Sequence, residues 1–470
     1  MKKKIPVFSL ILWISLLLGA ETRDAYSHSA KLEPMDSESG VIWKAAHIIP
    51  TENQLKWQEL EYIAFLHFGI NTFTNKEWGN GKEDPKLFNP TEFDARQWAR
   101  ILKDAGFKQA ILTAKHHDGF CLWQSKYTEH SVKSSPWKNG KGDVVKEFAD
   151  ACQEYGLKVG IYLSPWDRHE KTYGTEAYND YYKNQLRELL TDYGEISEVW
   201  FDGAGMGSKW KKMQKLYDWD GYVKIVRELQ PKAVIFQGGD LRWIGNEAGK
   251  NRESEWSPVP ENFVATDPDI GSRAKLLPAA KDAQTIRWLP AEVDTSIRPG
   301  WFYHQREDKL VKSLPHLVEI YFGAVGGNAL LLLNIPPDRR GLIHENDAAR
   351  LMELRKYLDE TFSQDLASGA DKISSDSGIE YDLSEPRTFN LAMIQEQIQQ
   401  GQRVEEFYLE IWDGRSWKQI AKGATIGYKK ILRFNQVTAQ KIRLRITQSR
   451  LSPTLSNFEL YLSPEIGQRQ

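Results

Sequence analysis

Residues 197–205, SEVWFDGAG, read as a buried apolar strand that ends on Asp202 just before a Gly-Ala-Gly turn. Burying a carboxylate beside Trp200 and Phe201 is costly without partners, so Asp202 is either hydrogen-bonded structure or chemistry. Three other strand ends carry side chains of the same kind. LHFGIN ends on His67 and runs into NKEWGNG, with Glu77 and Trp78; KHHDGF holds His116 and His117; YLSPWD holds Tyr162, Trp166 and Asp167. Alternation along a strand puts Trp200 on the same face as Asp202. The paired histidines could ligate a metal, but no HxH, HExxH or second dense carboxylate cluster completes a site. Histidines, tryptophans and carboxylates without a metal motif or a phosphate-cradling glycine loop suit glycoside hydrolysis. In that reaction one carboxylate attacks the anomeric carbon and a second acid protonates the leaving oxygen. Asp202 suits the attacking group. Its partner is an acid from a later loop, and Glu247, Glu253, Glu255 and Glu292 are all available.

Something must bring four strand ends to one face. From about residue 60, short continuously apolar runs alternate with amphipathic stretches: YIAFLHFGIN, FKQAILTAK, LKVGIYLSPW, EISEVWFDGAG and KAVIFQGGD as strands, with helices between them. Such runs imply parallel strands covered by helices. The pattern resumes with TIRWLPAEVDTSI, the helix SLPHLVEIYFGAVG, the strand NALLLLNIPPD and the helix ENDAARLMELRKYLDETF. The fold expected is α/β, a (β/α) TIM-like barrel of seven or eight strands, whose catalytic groups sit at the C-terminal strand ends. An open doubly wound sheet is the alternative, because strand order is not written in the pattern. Residues 240–285 show no period and read as long loops over one barrel face. After about residue 365 the texture turns to period-2 strands, predicting a C-terminal β-sandwich over 366–470 and a catalytic barrel over 21–365.

The remaining composition narrows the partners. Lys and Arg (62) nearly cancel Asp and Glu (64), so no global field recruits nucleic acid or anionic lipid. The 17 Trp, 19 Tyr and 19 Phe offer flat faces for sugars, although most rings are expected in the core. Three lysines, an apolar run and the small pair Gly19 and Ala20 predict a signal peptide over residues 1–20. The expectation is therefore export to the periplasm or medium, with no membrane span in the mature protein. Cys121 and Cys152 provide no disulfide framework and read as buried thiols.

Taken together, LHFGINTFTNKEWGNG, AKHHDGFCLWQS, GIYLSPWDRH, EVWFDGAG, RWIGNEAG and SIRPGWFYH closely resemble, in this order, the α-L-fucosidases of glycoside hydrolase family 29, over roughly residues 45 to 360. The resemblance implies a retaining, metal-independent and cofactor-free hydrolase acting on fucosylated oligosaccharides or glycoconjugates through a covalent fucosyl-enzyme intermediate. It carries the nucleophile onto Asp202. GNEAG resembles the branch selective for α-1,3 and α-1,4 linkages, which carries the acid/base onto Glu247, with Glu292 in reserve. It also implies that His67, His116 and His117 bind fucose hydroxyls with Glu77 and Trp78 nearby, that Trp200 lines the pocket, and that Arg298 and Trp301 contact substrate. The alternatives are a broader fucosidase acting on 1,2 and 1,6 linkages, or a barrel that binds glycan without turnover. The last domain resembles the discoidin-like sandwiches that accompany such barrels, and a structural cap is the favoured role for it over glycan binding.

Overall fold

A computed structural model describes residues 26–375 and 378–466. The expected signal peptide lies outside the described residues. Eight parallel strands form the central sheet: β1 (Tyr62–Leu66), β2 (Gln109–Lys115), β3 (Lys158–Leu163), β4 (Ile196–Trp200), β5 (Val234–Phe236), β6 (Arg242–Trp243), β7 (Ala291–Ser296) and β8 (Ala329–Asn334). Their spatial order is β5-β4-β3-β2-β1-β8-β7-β6. A single parallel bridge from Phe236 to Leu241 brings β5 to β6 and all but closes the ring. The expected barrel is therefore present, and the open sheet is not.

Almost every residue of these strands is buried, which hides the alternation in the sequence. Packing divides it cleanly. Ile63, Phe65, Ile111, Tyr162, Trp200, Val234, Phe236, Leu330 and Leu332 fill the barrel interior. Their neighbours, among them Ala64, Leu66, Leu112, Ile161 and Val199, face the surrounding helices. Those helices are α1 (Ala95–Asp104), α2 (Val144–Tyr155), α3 (Ala177–Thr191), α4 (Trp219–Leu229), α5 (Leu314–Ala324) and α6 (Glu345–Thr361). Asp94, Asp143 and Ser313 cap α1, α2 and α5 by accepting backbone N–H bonds, and Gly156 ends α2 with φ 68°, where a side chain would be strained.

Two expectations need correction. TIRWLPAEVDTSI is two strands, because Pro290 breaks it: Thr285–Trp288 leaves the barrel to pair antiparallel with Ser29–Lys31 and Pro258–Pro260, and only Ala291–Ser296 belongs to the ring. The aperiodic stretch after residue 240 hides the eighth barrel strand. At two residues, β6 is too short to show a period.

Beyond α6 comes an antiparallel sheet of six strands, built around Gly378–Glu396 and Lys430–Ser449. These long strands slip register near Asp382 and Phe389, and such irregularities bend a sheet. The bent sheet encloses its own core, including Phe389, Ile394, Phe407, Leu409 and Leu444. Cys121 and Cys152 are both buried and free. Among the described residues no helix is long and apolar enough to cross a membrane.

Candidate active site

At the C-terminal ends of the strands lies a cavity of about 380 Å³. Asp202 and Glu247 both line it. Asp202 continues β4 on the inward parity of Trp200 and keeps 18% of its side chain exposed. Its Oδ2 accepts the Tyr162 hydroxyl at 2.8 Å and its Oδ1 accepts the Ala204 N–H at 2.6 Å. The turn residues that follow the strand therefore aim the carboxylate into the cavity. Glu247 stands on the exposed rim, where its Oε2 accepts the Trp301 indole N–H at 3.0 Å. The loop that carries it turns through Gly245 at φ 99°, where a Cβ would lie 2.3 Å from the Ala265 carbonyl oxygen, so only glycine fits.

The other candidate acids are elsewhere. Glu253 is exposed away from the cavity lining, Glu255 is buried against Arg242 and Arg252, and Glu292 is sealed inside the barrel. Glu292 therefore leaves the reserve role: it never meets the cavity. Instead its Oε1 accepts the Trp200 indole N–H at 2.7 Å. It faces Glu198, which accepts from Trp57 Nε1 at 2.9 Å and Gln109 Nε2 at 2.6 Å. Glu198 Oε1 and Glu292 Oε2 have no other partner, so a proton between them is the arrangement that satisfies both. Burial raises the proton affinity of both acids above the ordinary glutamate range, and mutual repulsion raises that of Glu292 further.

A raised folded-state pKa gives stability that is fully present below the unfolded value, near 4.5, and is lost as pH rises through the folded value. Glu292→Gln keeps the acceptor for Trp200 and offers Glu198 an amide N–H. Wild type should therefore lose unfolding free energy as pH rises from about 4.5 through the folded values, by up to about 1.4 kcal/mol per pH unit for each proton that unfolding releases. The variant should decline less steeply, as read from urea midpoints between pH 6 and 9. Parallel declines would mean that the pair holds no shared proton.

The histidines form a neutral wall. Asn334 fixes His67: its amide N–H groups go to Ser296 Oγ at 2.9 Å and the Trp301 carbonyl at 2.8 Å, so its Oδ1 must accept from His67 Nδ1 at 2.8 Å. Nε2 of His67 is then the bare acceptor. Similar logic holds for His117, because Ser164 Oγ donates to the Trp166 carbonyl at 2.7 Å and can only accept from His117 Nδ1, also at 2.7 Å. Nε2 of His117 lies 3.7 Å from Asp202 Oδ2, yet this is no ion pair, since burial pushes the imidazole down to about 4 despite that carboxylate. Burial takes His67 down to about 3 and His116 well below its usual value. Two lone pairs held in place beside Asp202 are well suited to accepting sugar hydroxyls.

Of the other expected contacts, Glu77, Trp78, Tyr162, Trp200 and Trp301 line the cavity. Glu77 staples two loops, accepting from the Trp301 N–H at 2.8 Å and pairing with His304 Nε2 at 2.6 Å. Two expectations are corrected. Trp166 lies behind the wall, 4.7 Å from the His117 ring and 5.4 Å from Trp78. Arg298 is fully buried, paired with Asp347 at 2.8 Å and Asp308 at 2.9 Å, and stands outside the cavity lining, so it does not meet a substrate there. Asp167 likewise pairs with Lys115 at 2.9 Å in the core. Sequence reasoning missed Phe65, Phe236, Trp243 and Asp294, which also line the cavity. Asp294 sits two residues beyond Glu292 on β7 and accepts from Trp243 Nε1 at 2.8 Å. Burial, reinforced by Glu247 and Asp202, pushes its carboxyl up to about 8, so it enters the cavity neutral. Strand parity from Glu292 was the signal for it. Among the described residues no group of three or more His, Cys, Asp or Glu side chains is arranged to hold a metal ion.

A barrel with a sugar-sized, aromatic-walled pocket and two carboxylates at its mouth defines a glycoside hydrolase. The family model for α-L-fucosidase matches residues 43–361, and the chain belongs to that family. It is 43% identical to α-L-fucosidase 1 of Arabidopsis thaliana over 456 residues, covering 89% of this chain and 88% of the plant protein. Among solved structures, a glycoside hydrolase 29 family member from an unknown rumen bacterium superposes with a TM-score of 0.83 at 44% identity, covering 90% of this chain and 78% of that one. A Ruminococcus gnavus GH29 fucosidase in complex with fucose gives 0.77 at 30% identity, covering 93% and 99%.

Proposed function

We propose that this α-L-fucosidase works with retention of configuration, using Asp202 as nucleophile and Glu247 as acid/base, and that it releases terminal fucose from α-1,3 and α-1,4 linkages. The observation that carries the reading is the pairing of an oriented, partly buried Asp202 with a rim-exposed Glu247 on one cavity. Asp202 Oδ attacks C1 of fucose as Glu247 protonates the glycosidic oxygen, so the old C–O bond breaks while the ester bond forms. Water then attacks C1, Glu247 takes its proton, and Asp202 leaves as carboxylate. Two inversions return the starting configuration. The bare nitrogens of His67 and His117 accept fucose hydroxyls, while Phe65, Trp200 and Phe236 supply apolar surface for the C6 methyl group and the C–H face of the ring. The rim position of Glu247 and Trp301 leaves the aglycone in the open, so linkage preference is decided there. The N-terminal apolar run supports export, and the mass of the mature protein isolated from its natural host tests it.

Proton NMR of the first-formed product tests the stereochemistry. The α-anomer of fucose should appear before mutarotation, and an initial β-anomer would exclude a fucosyl-enzyme ester. In the same assay, Lewis-type trisaccharides should be cleaved faster than a 2-linked fucosyl trisaccharide. The reverse order would point to the broader branch.

A further inference from the structure

The loop that carries Glu247 is tied to the C-terminal domain through a chain of buried polar contacts. Gln402, two residues before the strand Val404–Trp412, is fully buried and grips the backbone of residues 255–257 with both ends of its amide. Its Oε1 accepts the Ser257 N–H at 2.9 Å and its Nε2 donates to the Glu255 carbonyl at 2.9 Å. Thr425, in the turn before Lys430–Ser449, accepts the Glu255 N–H at 3.1 Å. Lys430 Nζ donates to the Glu253 carbonyl at 3.1 Å. The domain thus supplies three side chains to one short segment of the connection between β6 and β7.

From that segment the contacts run back toward the cavity. The Glu255 carboxylate, itself buried, binds Arg242 and accepts from Arg252 Nη1 at 3.0 Å. Arg252 Nη2 in turn donates to the Ile244 carbonyl at 2.8 Å and also reaches the Ala265 carbonyl. Ile244 is three residues before Glu247, and Ala265 is the backbone on which Gly245 packs. Two-residue β6, the strand from which the loop departs, contributes little ladder of its own, so these side chains take the place of strand pairing.

We propose that the C-terminal domain is a positioning element of the active site, in which Gln402 and Thr425, acting through Glu255 and Arg252, set the place of Glu247. The inference rests on Glu247 being the acid/base. A clamp of this kind changes the chemical step when protonation of the leaving group matters, because misplacing a catalytic group by about 1 Å costs as much as 10²-fold. It leaves fucose binding in the deep pocket untouched.

The full-length protein carrying Thr425→Val, Gln402→Leu or Thr425→Ser is compared with wild type and Glu247→Ala on a Lewis-type trisaccharide and on an aryl fucoside with a good leaving group. Thr425→Val and Gln402→Leu should lower kcat on the trisaccharide by about 10-fold with KM little changed. Both should keep kcat/KM near wild type on the aryl fucoside, whose fucosyl-enzyme forms with little protonation, and Thr425→Ser should restore the trisaccharide rate. Equal losses of kcat/KM on both substrates, or none, would overturn the clamp. Should Glu247→Ala itself fail to separate the substrates, the acid/base assignment falls. Hydrogen exchange then decides the clamp alone: faster exchange over residues 242–256 in folded Thr425→Val supports it, and unchanged exchange overturns it.

Discussion

Asp202→Asn and Asp202→Ala should each reduce turnover of every fucoside, aryl or natural, by on the order of 10⁴-fold or more, with the fold intact. The size follows from what the carboxylate does. It forms the bond to C1 in the first step and leaves as a stabilised anion in the second, so no leaving group, however good, relieves its absence. Folding survives because Asp202 is partly exposed at the mouth, and its two donors, the Tyr162 hydroxyl and the Ala204 N–H, can turn to water or to the Asn oxygen. Melting temperature and circular dichroism near wild type establish that the loss is chemical. Azide adds a second arm. In Asp202→Ala, the small anion can occupy the vacated space and attack an aryl fucoside directly, giving β-fucosyl azide from an α-fucoside by a single inversion. Wild-type turnover in Asp202→Ala, or rescue that yields the α-azide, would sink the nucleophile.

Much of this was legible in the sequence, for reasons that differ from element to element. Helices α1 to α6 announce themselves because each buries one stripe against the barrel, so polarity repeats with the helical turn. Strands β1 to β4 stand out as apolar runs because both of their faces are covered. The same double burial conceals which residues point inward, and that is why Asp294 and Glu198 were not singled out as interior groups. In an all-buried strand, only the parity counted from one known inward residue separates the two faces. Strand β6 was invisible because two residues carry no period; it exists through Arg242 and Trp243 pairing with β7. Arg298 illustrates the opposite error. A motif places an arginine next to the site, but only the fold reveals that it is buried against Asp347 and Asp308, off the cavity lining. Glu247 emerged from four candidate acids for a related reason. Distance along the chain does not distinguish it from Glu253 and Glu255, whereas the turn at Gly245 does.

Glu247→Ala should produce a split rather than a uniform loss. On oligosaccharides, whose leaving alkoxide is poor, kcat/KM should fall by about 10²–10⁴-fold, the usual span of general acid catalysis. On an aryl fucoside whose phenol leaves readily, formation of the fucosyl-enzyme needs almost no protonation and should stay within a few-fold of wild type. Hydrolysis of the fucosyl-enzyme, which still needs the base, then becomes slow, so the intermediate accumulates. A burst of phenol equal to the enzyme concentration should precede a slow steady state, and KM should fall along with kcat. Added azide removes the need for a base and should restore turnover, now giving the α-azide, since two inversions have occurred. The product anomer thus distinguishes this variant from Asp202→Ala within one assay. The Trp301 indole loses its acceptor in Glu247→Ala, but the ring stays held by its backbone bonds to Glu77 and Asn334. Pocket shape is therefore preserved, and the split reports the proton. Equal losses on both substrates, without a burst, would move the acid/base role off Glu247. Asp294 would then be the carboxyl to test, because it lines the same cavity and burial keeps it protonated up to about pH 8.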